Sequence, residues 1–325
     1  MTGDEAGHIA EAYGLGLPTR PPVAMARGEL GRIWRLDTER GSWAVKELLV
    51  PTDEATARAD LEFQAAALEA GLPLPHPIVR PDGAVLTALE RADGSSVGYR
   101  VYTWVDLMKP DRPPAPAIAA VLLARLHGLD RAAHGPMHPW FSEPLGPEGW
   151  ARLVDDVRAA APPWLEALER LAPDALAAEA VIAQAGLDHL PTAALRRCHL
   201  DFNPENVLVD AAGRAVILDW ENSESAPLEQ ELTYAVLDFA PEPAAARAFL
   251  DAYHEAGGPA EIRDRSSFAL AVAVQSHLAD TYARRGITAT TDEGRAHAAY
   301  RIDELDRTLF TLASIDRLLL ELGRG

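Results

Sequence analysis

Three oxygen-bearing side chains stand at telling intervals in the second half of the chain: Asp201, Asn206 five residues on, and Asp219 thirteen further. They occur in His199-Leu-Asp201-Phe-Asn-Pro-Glu-Asn206-Val-Leu-Val and in Asp219-Trp220-Glu221. A loop carboxylate, then an amide, then a carboxylate closing the next strand is the set that phosphoryl transfer needs. One carboxylate accepts the proton of an attacking hydroxyl. The amide oxygen and the second carboxylate hold Mg²⁺, a hard ion that takes oxygen ligands and bridges phosphates. Val207-Leu208-Val209 and Ala215-Val216-Ile217-Leu218 flank Asp210-Ala-Ala-Gly213, so a β-hairpin is expected between the amide and the second carboxylate.

A second feature points the same way. Lysine occurs only at positions 46 and 109, whereas arginine occurs 28 times. Trp43-Ala44-Val45-Lys46 matches the V-A-I-K strand of protein kinases, whose ammonium contacts nucleotide phosphates. The order and spacing from Asp201 to Asn206 also match their H-R-D-x-x-x-x-N pattern, with Leu200 in place of the arginine and Trp220-Glu221 in place of Phe-Gly. The helix carboxylate expected to pair with Lys46 is Glu62, sixteen residues on, with Asp60 nearby. Gly28-Glu-Leu-Gly31 lies where a flexible loop would cover the phosphates. Lys109 reads as a solvated side chain.

Residues 199–219 with Lys46 and Glu62 resemble the aminoglycoside phosphotransferase family, a small-molecule branch of the protein-kinase-like fold, and Leu123-Ala-Arg-Leu-His127 and the Leu-Asp-Trp-Glu ending extend the likeness over most of residues 25–240. The resemblance implies that Asp201 is the catalytic base and His199 organises its loop. It implies that Asn206 and Asp219 bind Mg²⁺, that Lys46 binds the α/β-phosphates of ATP or GTP, and that Glu62 orients Lys46. Tyr102 to Asp106, including Trp104, resembles the hinge whose backbone holds the purine edge. In that family an acidic pocket binds polycationic antibiotics.

These residues require two kinds of scaffold. Residues 23–105 read as strand-rich with one helix, Asp53 to Ala70, stopped by Gly71. The strands are Ile33–Asp37, Ser42–Leu48, Ala84–Leu89 and Tyr99–Val105. From about Asp111 the text turns alanine- and leucine-rich, with helical spacing over 115–129, 148–161, 164–185, 244–256, 266–285 and 295–322. An α+β, kinase-like two-lobed fold is expected, with a nucleotide-binding lobe over 1–104 and a helical lobe over 105–325 carrying the catalytic loop, metal site and acceptor pocket. The seam Pro110 to Pro116 follows the crossover at 103–108.

Glu231 follows Asp219 only twelve residues on, lies in a helical pattern and is read as an anchor for the catalytic loop. That leaves no room for a peptide-docking loop, so a small-molecule acceptor is expected rather than a protein. The acids Asp155, Asp156, Glu166, Glu169, Asp280 and Glu304 lie on the helical inserts, and Glu224 and Asp280 are candidates for acceptor contact. With 49 acidic against 30 basic side chains and a net charge of −19, nucleic acid and anionic membranes are disfavoured and a cationic, hydroxylated acceptor fits. Cys198, the single cysteine, reads as buried and His127 as structural. The N-terminus carries acids where a signal peptide needs positive charge, and a cytoplasmic location is expected. The acceptor expected first is an antibiotic such as an aminoglycoside, in resistance or self-protection; the alternatives are a metabolite such as choline, homoserine or a sugar amine or a non-aminoglycoside antibiotic, and a catalytically idle nucleotide-binding module is the reading of another class.

Overall fold

The structure is a computed structural model that describes residues 1–28, 31–91, 94–108 and 112–324; Lys109 and the centre of the Gly28–Gly31 loop lie outside them. The chain divides into two compact units, Met1–Leu129 with Asn203–Ser223, and Asp130–Phe202 with Glu224–Gly325. This differs from the expected boundary at 104/105. The hairpin Val207–Val209/Ala215–Ile217 joins the first unit because the Met108 amide donates to the Val209 carbonyl at 2.8 Å and Leu107 bridges Asp210.

The first unit begins with α1 (Gly3–Ala12), which the acidic N-terminus did not suggest. Thr2 and Glu5 form a reciprocal capping box there, and Ile9 is buried with Leu36, Val45, Tyr99 and Val101. The strands β1 (Val23–Arg27), β2 (Gly31–Thr38) and β3 (Gly41–Leu48) follow, then α2 (Glu54–Glu69). Next come β4 (Pro77–Ile78), β5 (Thr87–Glu90), β6 (Ser96–Thr103) and α3 (Pro116–His127). The sheet is antiparallel in the order β1-β2-β3-β6-β4, with β5 also on β6. Asp53 caps α2 by accepting the Thr56 amide at 2.7 Å, and Gly71 (φ +72°) follows its end, as the sequence predicts. Arg125 of α3 donates to the Ala70 and Gly71 carbonyls at 2.9 and 3.0 Å, which ties that helix to the end of α2.

The second unit is mainly helical. Its main helices are Gly146–Ala160, Leu165–Ala178, Ala180–Ala185, Leu228–Phe239, Pro243–Glu255, Ala269–Thr288, Asp292–Thr308 and Leu312–Glu321, and Arg196–Cys198 pairs antiparallel with Glu224–Ala226. Two long helical patterns are interrupted. The first breaks at Glu179, whose carboxylate accepts from the Leu145 and Gly146 amides at 3.0 and 2.9 Å and from Trp150 Nε1 at 2.9 Å, and so caps the helix starting at Gly146. The second breaks at 309–311, where the Phe310 amide donates to Gln275 Oε1 at 2.9 Å and Thr311 caps the final helix. Among the described residues no helix is long and apolar enough to cross a membrane.

Candidate active site

β3 places Lys46 between Ile33 of β2 and Arg100 of β6. Its side chain is 5% exposed, and Nζ donates to Asp219 Oδ1 at 2.5 Å and to Glu221 Oε2 at 2.7 Å. Burial alone would lower the ammonium pKa, but the two carboxylates outweigh it and hold the pKa above its ordinary value. Gly31 makes room for this cation: a Cβ there would lie 2.7 Å from Lys46 Cε. The Gly28 amide donates to the Gly31 carbonyl at 2.9 Å, closing the loop in front of β2.

Asp219 leaves the hairpin in the left-handed conformation (φ +57°) and opens a short turn, Trp220–Asn222. Trp220 is buried, donates Nε1 to the Ile217 carbonyl at 3.2 Å, and meets Phe63 of α2 edge-on with ring centroids 5.4 Å apart. Glu221 then points inward, accepting from Tyr102 Oη at 2.8 Å and lying 3.7 Å from Arg100 Nη1. Arg100 is itself buried and donates to Asp60 Oδ2 of α2 at 3.0 Å. Burial pushes the Asp219 carboxyl up, with Lys46 opposing and the Glu221 charge adding. Burial pushes Glu221 up as well, yet Lys46 and Arg100 together hold it below the carboxylate range.

The Asn206 amide donates to Asn203 O and Oδ1, both at 3.1 Å, and the Leu218 amide donates to the Asn206 carbonyl at 2.7 Å. The amide-bearing loop is thus bonded to the strand end that delivers Asp219. Asn206 and Asp219 offer oxygen donors only, and a third of the Asp219 side chain stays accessible. A hard cation that completes its shell with phosphate and water oxygens fits such a set.

One expectation for this unit is corrected. Glu62 is exposed on α2 and does not orient Lys46; the inward carboxylate of that helix is Asp60, two residues earlier on the helix and therefore on another face, and it is engaged by Arg100. Tyr102 turns its phenol to Glu221, while its backbone stands between Ala44 of β3 and Pro77 of β4 in the sheet. Trp104 donates Nε1 to Asp106 at 2.7 Å, sits under Arg35 at 4.9 Å, and lines a cavity of about 480 Å³ with Leu72, His76 and Val216.

In the second unit, His199 is fully buried and its Nδ1 accepts the Asp201 amide at 3.3 Å. Leu200 is left-handed (φ +57°), and its amide donates to Glu231 Oε1 at 2.7 Å, so Glu231 anchors the loop. Asp201 is half-buried. Cys198 is buried, and burial pushes its thiol pKa well up, away from reactivity. Glu224 is half-buried opposite Cys198 in the strand pair. Asp280 is held by Arg284 at 2.8 Å, and Arg284 also binds Asp156 at 3.1 Å. Arg158 holds Glu169 at 2.6 Å and Asp155 at 3.5 Å, and Arg301 holds Glu304 at 2.7 Å. The acids of the helical inserts are therefore largely charge-paired.

The model of the phosphotransferase enzyme family, abbreviated APH, matches residues 23–265. The chain belongs to that family. It is a small-molecule phosphotransferase. Its fold is shared with a spectinomycin phosphotransferase solved with ADP and spectinomycin (12% identity, TM-score 0.68, covering 100% of this chain and 99% of that one). It is shared with an amicoumacin kinase solved with AMP-PNP, Ca²⁺ and Ami (12%, 0.58, 93% of each). A choline/ethanolamine kinase family protein from Mesorhizobium loti is also similar (18%, 0.56, 99% of each). Among curated proteins none matches this sequence.

Arg100 and the inward role of Glu221 escaped the sequence reading, which named Asp60 only as a neighbour of Glu62. The available signal was Arg100 itself, an arginine between Tyr99 and Val101 in a strand, which must find an acid if its face is buried.

Proposed function

We propose that this phosphotransferase moves the γ-phosphoryl group of ATP or GTP, with Mg²⁺, onto a hydroxyl of a small cationic molecule, an antibiotic of the aminoglycoside kind being the first acceptor to test. The observation that carries the nucleotide half is the buried ammonium of Lys46, held beside Asp219 by two carboxylates. A buried cation with one N–H to spare is suited to a phosphate oxygen. Asn206 and Asp219 would hold the metal, which when bound neutralises charge on the phosphates. Asp201 would accept the acceptor's hydroxyl proton, with His199 and Glu231 keeping its loop in shape. Positioning and charge neutralisation supply most of the acceleration, so Asp201 needs only to receive a proton late.

Supporting an antibiotic acceptor are the net charge of −19 and the spectinomycin and amicoumacin bound by structures of the same fold. A second reading, phosphorylation of a small amino-alcohol metabolite, is favoured by the arginine pairing of Asp155, Asp156, Glu169, Asp280 and Glu304, which leaves less free negative charge for a polycation. The test is Mg²⁺-dependent nucleotide consumption against aminoglycosides, other hydroxylated antibiotics and amino-alcohols, with mass detection of added phosphate. Asp201→Ala should lower turnover by ~10²–10⁴ with little change in nucleotide affinity. Unchanged turnover in that variant removes Asp201 as the base. Tight nucleotide binding with no mass gain on any compound favours an idle binding module.

A further inference from the structure

We infer that Glu221, rather than a carboxylate of helix α2, positions Lys46 for the nucleotide phosphates, and that it does so as the end of a buried relay running Asp60–Arg100–Glu221–Lys46. The inference rests on the reading that Lys46 is the phosphate ligand. The relay is continuous: Asp60 to Arg100 at 3.0 Å, Arg100 to Glu221 at 3.7 Å, Glu221 to Lys46 at 2.7 Å. Its Asp60, Arg100, Glu221 and Lys46 side chains are no more than 10% exposed, so a missing partner would leave an uncompensated buried charge. Tyr102 fixes the other oxygen of Glu221 at 2.8 Å, and Trp220 against Phe63 holds the preceding residue on α2.

The charge balance explains why two carboxylates meet one lysine. Asp219 is the residue proposed to take the metal. Once its carboxylate serves that ion, Glu221 remains to hold Lys46, and the cations Lys46 and Arg100 are matched by Asp60 and Glu221. Helix α2 then acts on Lys46 through Arg100, whereas Glu62 stays in solvent.

The lysine count supplies a direct test, since Lys46 and Lys109 are the only two. Amine labelling followed by peptide mass spectrometry reads Lys46 against Lys109 without any nucleotide. Magnesium-nucleotide affinity, measured by calorimetry on the same folded proteins, reads the function. Glu221→Gln should raise Lys46 labelling relative to Lys109 and raise the nucleotide Kd, each by about tenfold, as expected for losing one charge-assisted bond. Asp60→Asn should shift both in the same direction by about threefold, and Glu62→Gln should change neither. The inference is overturned if Glu62→Gln moves either readout, or if Glu221→Gln lowers only thermal stability while labelling and Kd stay put. Should the unaltered protein bind no nucleotide, the phosphotransfer reading fails, whereas the labelling result still decides which carboxylate holds Lys46.

Discussion

Leu200 and Asp219 both adopt left-handed backbone, which costs a side-chain-bearing residue about 1–2 kcal/mol. At Leu200 the cost is offset by burying the side chain, worth ~1.5–3 kcal/mol, and by the bond from its amide to Glu231. At Asp219 it turns the chain so that the residue two places on, Glu221, reaches the same ammonium. Space matters as much as charge here. Gly31→Ala puts a methyl 2.7 Å from Lys46 Cε, with the Glu47 carbonyl 3.2 Å away on the same side, so the lysine stem must move. The expected result is a nucleotide Kd raised about tenfold, a ~1.4 kcal/mol effect, with an unfolding midpoint close to that of the parent. An unchanged Kd would show that the lysine finds another path. The candidate residues Asp201, Asn206, Asp219 and Lys46 could be picked out of the sequence because fixed spacing and rare residue types mark them. Glu221 and Arg100 could not, because a buried ion pair between distant strands leaves no periodic trace in the sequence.

Elements with strong local signals were recovered with small shifts. Helix α2 came with its Asp53 cap and its Gly71 stop, and the hairpin after Asn206 formed around its expected turn. The misses have tertiary causes. Apolar spacing continued through Glu179 and through 309–311, and only side chains from elsewhere in the unit show why each helix breaks there. Glu179→Ala removes the acceptor of two backbone amides and the Trp150 indole, all in a buried setting. Urea unfolding should report a loss of about 2–4 kcal/mol, and a loss below ~1 kcal/mol would mean that water replaces the carboxylate. Helix α1 is pinned to β2 and β3 through Glu5, Arg91, Glu47 and Trp34. Burial pushes Glu47 up, but the Trp34 indole and Arg91 outweigh it, so its folded pKa lies below the unfolded value. That stabilisation is complete above the unfolded carboxylate range near about pH 4.3 and is lost as pH falls through the lower folded pKa. Glu47→Gln should therefore flatten the acid limb of a Tm-against-pH curve while lowering Tm near neutrality. A parallel acid limb in both proteins would assign the acid sensitivity to other carboxylates.

At the scale of the whole molecule, the negative charge is arranged rather than diffuse. Five of the six acids singled out on the helical inserts are met by arginine, so those positions add little to the field that the net charge of −19 sets up. The first unit is also discontinuous in sequence, because Asn203–Ser223 returns to complete it. During synthesis, residues 1–129 emerge with Lys46 and Arg100 already present but without Asp219, Glu221, Trp220 or the hairpin. At ~5–20 residues per second the missing segment arrives roughly 5–20 s later. A separately produced 1–129 fragment should accordingly fail to show a cooperative unfolding transition, and addition of a 203–223 peptide should restore part of it; a stable fragment would mean that the sheet and α1 suffice. The two carboxylates that hold Lys46 are thus among the last parts of the first unit to be made, so the ammonium has no assembled counter-charge of that kind until the segment through Ser223 has emerged.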